Sequence, residues 1–347
     1  MKNVKQMQIG DLLIDSNHPL VIPEIGINHS GSLEVAKKMV YAAYLSGAKI
    51  VKHQTHVVED EMASLAKSIK PGNSDRSIYD IMNSCALSEA EEYELMQYTE
   101  SLGLCYLSTP FSRAAADRLE KFGVKAYKIG SGELNNYPLL KHVASFGKPM
   151  IVSTGMNSFE EIDRAVQILD DSKVSYALLH TTNLYPTTPE QVRLGAMRQM
   201  MERYSDVLVG LSDHTLNNNA AIAAIAQGAA IVERHFTDDK ERKGPDIVCS
   251  MDPNDLRNLL EAARDVPKML GGEKRALKEE KVTINFAFAS VVSIRSIHKG
   301  EVFTEENLWV KRPGVGDFLA RDYESLLGRK ASKDIPNDVL ISKDMVE

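Results

Sequence analysis

A beat repeats eight times along this chain: a short apolar run, a small polar cluster, then a helix-like stretch. The runs close on Glu24-Ile25-Gly26, Lys52-His53-Gln54-Thr55, Ser108-Thr109-Pro110, Lys128-Ile129-Gly130-Ser131, Ser153-Thr154-Gly155, His180-Thr181-Thr182-Asn183, Ser212-Asp213-His214 and Glu233-Arg234-His235. Apolar runs of strand length alternating with amphipathic helices give parallel β/α units, and eight of them close into a (β/α)8 TIM barrel. Every strand then ends on one face, where barrel enzymes carry their chemistry. The polar clusters follow the runs and do not precede them, so the pattern describes a site as well as a fold.

The 347 residues exceed a barrel of about 250 and leave room for a small second domain. A hydrophobic content of 43% and a charged content of 26% suit a soluble globular chain. With a formal net charge of −7 there is no overall positive field for nucleic acid or a membrane surface, so an anionic substrate must be held by local groups. The opening Met1-Lys2-Asn3-Val4-Lys5-Gln6 lacks the apolar core of a signal peptide, and no apolar run is long enough to span a bilayer. The expected location is the cytoplasm. Cys85, Cys105 and Cys249 are scattered, without metal-site spacing, and are expected to be reduced thiols.

Residues 4 to 15 alternate polar and apolar about Gly10-Asp11, which predicts a hairpin plugging the barrel's N-terminal end. The strands are expected at Leu20–Ile25, Lys49–Lys52, Leu104–Ser108, Ala126–Ile129, Met150–Ser153, Tyr176–His180, Val207–Leu211 and Ala230–Glu233. Helices are expected at about Leu33 to Leu45, at Ser88 to Ser101 behind a Ser-x-x-Glu capping box, and at Pro253 to Met269. Between them, Glu59 to Ala86 is a long loop of the kind that touches substrates. The expected domains are the barrel at 1–270, a glycine-punctuated charged linker at 271–284 and a small β-rich domain at 285–347. In that last part Gly300 to Leu308 parallels Asn337 to Met345, an internal repeat nine residues long.

His214 and His235 end neighbouring strands, so their imidazoles can converge on one divalent ion and leave positions for water and substrate oxygens. A lone histidine there reads as a hydrogen-bonded core residue; a pair favours the ion. Asp213 and Glu233 beside them are candidates to orient those rings, or to face the helices. Lys52 and Lys128 at strand ends, with Thr109, Ser131, Ser153 and Ser212, supply donors for a phosphate and a carboxylate, although each hydroxyl equally suits a helix N-cap. A competing enzyme reading makes Lys52 or Lys128 a Schiff-base nucleophile of a pyruvate lyase, which leaves the paired histidines without a task. Glu24 and Glu133 can reach the mouth as bases or as acceptors for sugar hydroxyls, or form structural pairs with the lysines. By itself Lys311-Arg312-Pro313-Gly314 reads as a solvated cationic turn.

These segments, with Gly244-Pro245-Asp246 and Glu24 to Gly31 in full, resemble the N-acetylneuraminate (sialic acid) synthases over essentially the whole chain. The resemblance implies a barrel followed by an antifreeze-like SAF domain with a β-clip fold, in a domain-swapped homodimer whose small domain covers the partner's site. It implies a transferase that condenses phosphoenolpyruvate with N-acetylmannosamine or a related N-acyl aldose. His214 and His235 would hold the metal, Mn²⁺ first and Mg²⁺ or Co²⁺ as alternatives. Lys52, Thr109, Lys128, Ser131, Ser153, Asn183 and Ser212 would surround phosphoenolpyruvate. Gln54, Asn73, Tyr185, Asp246, Phe286 and Arg312 would approach the sugar, and Glu24, Glu133 and Arg312 would be catalytic. His53 and Ile247 depart from the residues many relatives carry there. Legionaminic or pseudaminic acid synthesis from a 2,4-diacetamido hexose is the alternative activity.

Overall fold

The computed structural model describes residues 5–70, 75–244 and 246–347, in two compact units, Met1–Gly271 and Gly272–Glu347. The first opens with an antiparallel hairpin, β1 (Met7–Ile9) and β2 (Leu12–Ile14). Eight parallel strands follow: β3 (Leu20–Gly26), β4 (Ile50–Thr55), β5 (Cys105–Pro110), β6 (Tyr127–Ile129), β7 (Met150–Ser153), β8 (Tyr176–Thr181), β9 (Leu208–Asp213) and β10 (Ile231–His235). They form a closed barrel in chain order, with β10 returning to pair with β3. The expected fold class is therefore confirmed, and the strands run to the polar clusters that end the apolar runs.

The two-residue period of a strand divides the core in two. One set of side chains, including Ile22, Ile50, Leu107, Ile151, Leu179 and Ile231, fills the barrel interior together with Met7, Ile9 and Ile14 of the hairpin. The hairpin is thus the floor of the barrel. The alternate set, including Val21, Val51, Tyr106, Tyr127, Val152, Leu178 and Val232, packs outward against the helices. Glu24, Lys52, Lys128, Ser153, Ser212 and Glu233 share the parity of the interior set and lie nearer the C-terminal end, so the barrel's contents turn from apolar to charged toward its mouth.

Helices occur at Leu33–Leu45, at Glu89–Ser101 and at Pro253–Met269; Ser88 and Glu91 form the anticipated capping box. The described residues of the stretch Glu59 to Ala86 include helices, Val58–Glu61 and Ile78–Cys85, and a 3-10 turn at Ser64–Ser68. Gly210 lies on β9 against β10, where a Cβ would stand 2.1 Å from the carbonyl oxygen of Ile231. Only glycine lets this seam close. Among the described residues no helix is long and apolar enough to cross a membrane.

The second unit holds a two-stranded antiparallel sheet, β11 (Ser290–Ser293) with β12 (Leu308–Lys311), over a core of Val291, Ile297, Phe303, Leu308, Tyr323, Leu326, Ile335 and Ile341. The stretch read as linker is partly helical, with a 3-10 turn at Lys278–Glu280 and a helix at Lys281–Ala287. Few of that helix's side chains are apolar on one face, so no amphipathic period announces it. The internal repeat is present one residue away from the expected register. Gly300 and Asp338 both have positive φ, Val302 and Leu340 both make bridges, and Phe303 and Ile341 are both fully buried. Ile297 and Ile335 occupy equivalent places and bridge to each other. The turn needs its left-handed residue ahead of the bridge, and Asp can take that conformation as Gly does. Residue type alone aligned Gly300 with Asn337 instead.

Candidate active site

Strand register sets the centre of the mouth. Glu24 on β3 is the partner of Lys52 on β4, and Glu233 on β10 is the partner of Ser212 on β9. Lys52 Nζ lies 2.7 Å from Glu24 Oε2 and 3.2 Å from Glu233 Oε1, with Lys128 Nζ 3.6 Å from the same Glu233 oxygen. Ser212 Oγ donates to Glu233 Oε1 at 3.1 Å, and Lys128 Nζ donates to Ser153 Oγ at 2.7 Å. Two ammoniums and two carboxylates thus form one buried cluster.

Burial opposes charge on Glu24, but Lys52, His235 and hydrogen bonds from Lys52 and Gln54 outweigh it and hold the carboxyl well below the usual range. Burial likewise opposes the charge on Lys52, and Glu233 and Glu24 overcome it, raising its pKa. For Lys128 burial prevails over Glu233, with Lys52 adding repulsion, and its pKa falls to about 8. Of the two lysines, Lys128 is the one whose charge is more easily removed.

The second feature is the histidine pair. The ring centroids of His214 and His235 are 5.5 Å apart, across the seam that Gly210 closes. His214 Nδ1 lies 2.8 Å from the carbonyl oxygen of Thr182, so it carries the proton and leaves Nε2 with its lone pair. Burial and the neighbouring His235 push the pKa of His214 down to about 3, so the ring is a neutral ligand. His235 Nδ1 is buried without a hydrogen-bond partner, 3.8 Å from Asp246 Oδ2, and its Nε2 is 3.9 Å from Glu24 Oε2. Two imidazoles, one with an orphaned nitrogen, fit a divalent ion that accepts nitrogen and oxygen donors. Among the described residues no three His, Cys, Asp or Glu side chains gather in a metal-holding group, so substrate or water would supply the other donors.

Several of the remaining expected residues of the first unit stand at the same strand ends. Tyr185 lies over His214 with centroids 4.2 Å apart. Thr109 Oγ1 and Asn183 Oδ1 are buried and unpartnered, as is Glu233 Oε2. Ser131 Oγ accepts from the Gly155 N–H at 3.0 Å; a Cβ on Gly155 would stand 1.9 Å from Asn183 Oδ1. None of Thr109, Ser131, Ser153 and Ser212 serves as a helix N-cap with a side-chain hydrogen bond. Gln54 Nε2 donates to Glu24 Oε1 at 2.7 Å. Asp246 is raised, first by burial, then lowered in part by His235 and raised again by Glu24. Glu133 is also raised by burial, partly relieved by the amide of Asn136 at 2.7 Å and reinforced by Glu61. Asn73 lies outside the described residues. In the second unit Phe286 is 59% exposed on its helix and Arg312 is exposed just after β12; the Gly314 N–H donates to Asn285, which joins their two segments.

Glu233 is the residue sequence reasoning misplaced. The sequence offers it as a group to orient the histidines or to face the helices, whereas its carboxylate joins the two lysines. Strand parity carries the signal: Glu233 has the parity of His235 and faces inward, while Asp213 has the opposite parity to His214 and faces the helices. There Asp213 meets Arg234, which also donates to Asn218 and to the carbonyl of Thr215.

A closed eight-stranded barrel with a lysine–carboxylate cluster and a histidine pair at the C-terminal ends of its strands defines a barrel enzyme with a charged, metal-fitting mouth. The chain belongs to the NeuB family, whose model matches residues 39–275, and a SAF domain model matches residues 288–347. It is 37% identical over 330 residues to N,N'-diacetyllegionaminic acid synthase of Campylobacter jejuni, covering 93% of this chain and 98% of that one. Human N-acetylneuraminate-9-phosphate synthase is 30% identical over 339 residues, 96% of this chain and 94% of the human one. The crystal structure of N-acetylneuraminic acid synthetase from Leptospira borgpetersenii, in complex with citrate, superposes with a TM-score of 0.73 at 27% identity, over 81% of this chain and 95% of that one.

Proposed function

We propose that this protein is an N-acetylneuraminate synthase, condensing phosphoenolpyruvate with N-acetylmannosamine and water to give N-acetylneuraminic acid and phosphate by C–O cleavage. The observation that carries this reading is the Lys52–Glu24–Glu233–Lys128 cluster standing beside the His214–His235 pair. The lysines offer the charges an enol phosphate and its carboxylate need, and Thr109, Ser131, Ser153, Asn183 and Ser212 supply the neutral donors. Two carboxylates already balance two ammoniums, so a multiply charged anion needs further positive charge. His214 and His235 would hold a divalent ion, Mn²⁺ in first place, which when bound polarises the sugar's aldehyde oxygen.

The residue chemistry then follows. Carbon three of phosphoenolpyruvate forms the new bond to the aldehyde carbon as the carbonyl π bond opens, and that oxygen takes a proton from Glu133. Carbon two becomes electron-poor, and water adds to it while losing a proton to Glu24, which burial among cations keeps ionised. The tetrahedral carbon then expels phosphate by breaking its own bond to oxygen. Glu133, whose pKa is raised, is suited to hold or protonate a sugar oxygen. Gln54, Asn73, Tyr185 and Asp246 face the sugar in this reading, with Phe286 and Arg312 contributed by the partner's small domain in a domain-swapped homodimer. Lys52, with its raised pKa, is unsuited to imine formation, whereas Lys128, lowered to about 8, is not; what counts against the lyase alternative is that it gives the histidine pair no task.

A second reading takes a 2,4-diacetamido hexose as the acceptor, supported by the similarity to the Campylobacter legionaminic acid enzyme. One assay separates the two: phosphate release from phosphoenolpyruvate with N-acetylmannosamine, its 6-phosphate and the 2,4-diacetamido analogue side by side. N-acetylmannosamine should give the highest kcat/KM, EDTA should abolish turnover and Mn²⁺ restore it. Preference for the diacetamido sugar would favour the second reading; turnover in excess chelator would reject the metal.

A further inference from the structure

Gln54 touches Glu24, but an amide can be turned either way, and something must decide which end faces the carboxylate. His56 lies two residues on, 5% exposed. Its Nε2 is 3.2 Å from Gln54 Oε1, and its Nδ1 is 2.8 Å from Glu61 Oε2. The imidazole stands between the amide oxygen of Gln54 and the carboxylate of Glu61 and bridges the two. Its plane is fixed by Phe111, stacked at 4.5 Å between centroids and 10° between planes. Glu61 is anchored in turn, because the preceding Asp60 accepts from the backbone N–H of Ala114 at 2.8 Å and ties the helix Val58–Glu61 to the start of the helix Arg113–Phe122.

We propose that His56, held by Glu61 and Phe111, is a positioning residue that locks the Gln54 amide so that its NH₂ is aimed at Glu24. With the amide reversed, a carbonyl oxygen would face the Glu24 carboxylate, which would lose a hydrogen bond and gain a repulsive neighbour. The His56–Glu61 pair thus sets the direction of the catalytic carboxylate from outside the mouth. Glu61 also raises the pKa of Glu133, so the same side chain bears on both carboxylates assigned to the reaction. The inference rests on the reading of Glu24 as the base.

The test compares full-length His56→Asn, His56→Gln and Glu61→Ala with wild type, measuring phosphate release from phosphoenolpyruvate and N-acetylmannosamine with Mn²⁺, alongside circular-dichroism melting. Gln places an amide N–H where ring Nε2 stood, whereas Asn reaches only the Nδ1 position. His56→Asn should lose about 10- to 100-fold in kcat with little change in KM for phosphoenolpyruvate, and His56→Gln should recover most of it. Glu61→Ala, which leaves the ring in place, should lose several-fold and decides the matter if a His56 variant fails to fold. Equal activity of the Gln and Asn variants, or wild-type kcat in Glu61→Ala, would overturn the proposal. Glu24→Gln is assayed separately: full turnover there removes the base reading itself, whatever the His56 variants do.

Discussion

Arg234 and Asp213 face each other across the β9–β10 seam as register partners, with Arg234 Nε 3.2 Å from Asp213 Oδ2 and both side chains 1% exposed. They stand on the outer side of the strands, one residue before the inward His235 and His214. The approach is close but not in line, for Arg234 Nε has no hydrogen-bond partner. Burial pushes Asp213 up and Arg234 down although each is the other's counter-ion, the mark of a pair that is costly to bury and costlier to break.

Removing one member should therefore be worse than removing both. Arg234→Met should destabilise the fold by about 3–5 kcal/mol in urea unfolding, and Asp213→Leu in the same chain should recover part of that loss. If the pair fixes the seam that aligns the histidines, Arg234→Met should also weaken Co²⁺ binding, read from its visible absorption.

Much of this arrangement was legible in the sequence because strand period and polarity coincide. His214 and His235 end adjacent strands, and Lys52 and Lys128 end others, so the mouth could be populated before any coordinates. The role of Glu233 was obscured because neighbours in sequence drew attention away from parity: it sits beside His235 on the chain but belongs with Lys52 in space. The His56–Glu61 contact depends on where the helix Val58–Glu61 folds back, which no periodicity announces. In the second unit, residue type found the repeat, and backbone conformation moved its register by one.

Lys128 gives a pH dependence with a definite sign. Burial favours its neutral amine and brings its pKa from 10.5 to about 8. Below about pH 8 the free enzyme presents an ammonium to the anion, and above it that charge is lost, so kcat/KM for phosphoenolpyruvate should fall as pH rises through this region. Bound anion favours the protonated form, and the corresponding limb of kcat should lie at higher pH. Lys128→Met should lose the limb and raise KM for phosphoenolpyruvate by about 10- to 100-fold.

Gly155 is required for space. Its α-carbon approaches Asn183 so closely that a methyl group would stand 1.9 Å from Oδ1 and 2.9 Å from Ser131 Oγ. Gly155→Ala should displace Asn183 and Ser131, both proposed to contact phosphoenolpyruvate, and lower kcat/KM by about 100-fold, while melting within a few degrees of wild type. Steady-state kinetics with both substrates varied would show it.

The histidine pair is tested by binding as well as by turnover. His214→Ala and His235→Ala should each abolish calorimetric Mn²⁺ binding, since one remaining imidazole makes a poor site. Both proteins should stay folded, because among the described residues the His214 ring makes one hydrogen bond, to Thr182, and His235 Nδ1 makes none.

The reaction class is tested most directly by oxygen labelling. Phosphoenolpyruvate carrying ¹⁸O at the bridge between carbon two and phosphorus is turned over with N-acetylmannosamine and Mn²⁺, and the released phosphate is examined by mass spectrometry. C–O cleavage predicts that the label leaves in the phosphate and that the sugar product's new oxygen comes from water. Unlabelled phosphate, with the ¹⁸O retained in the product, would contradict the account.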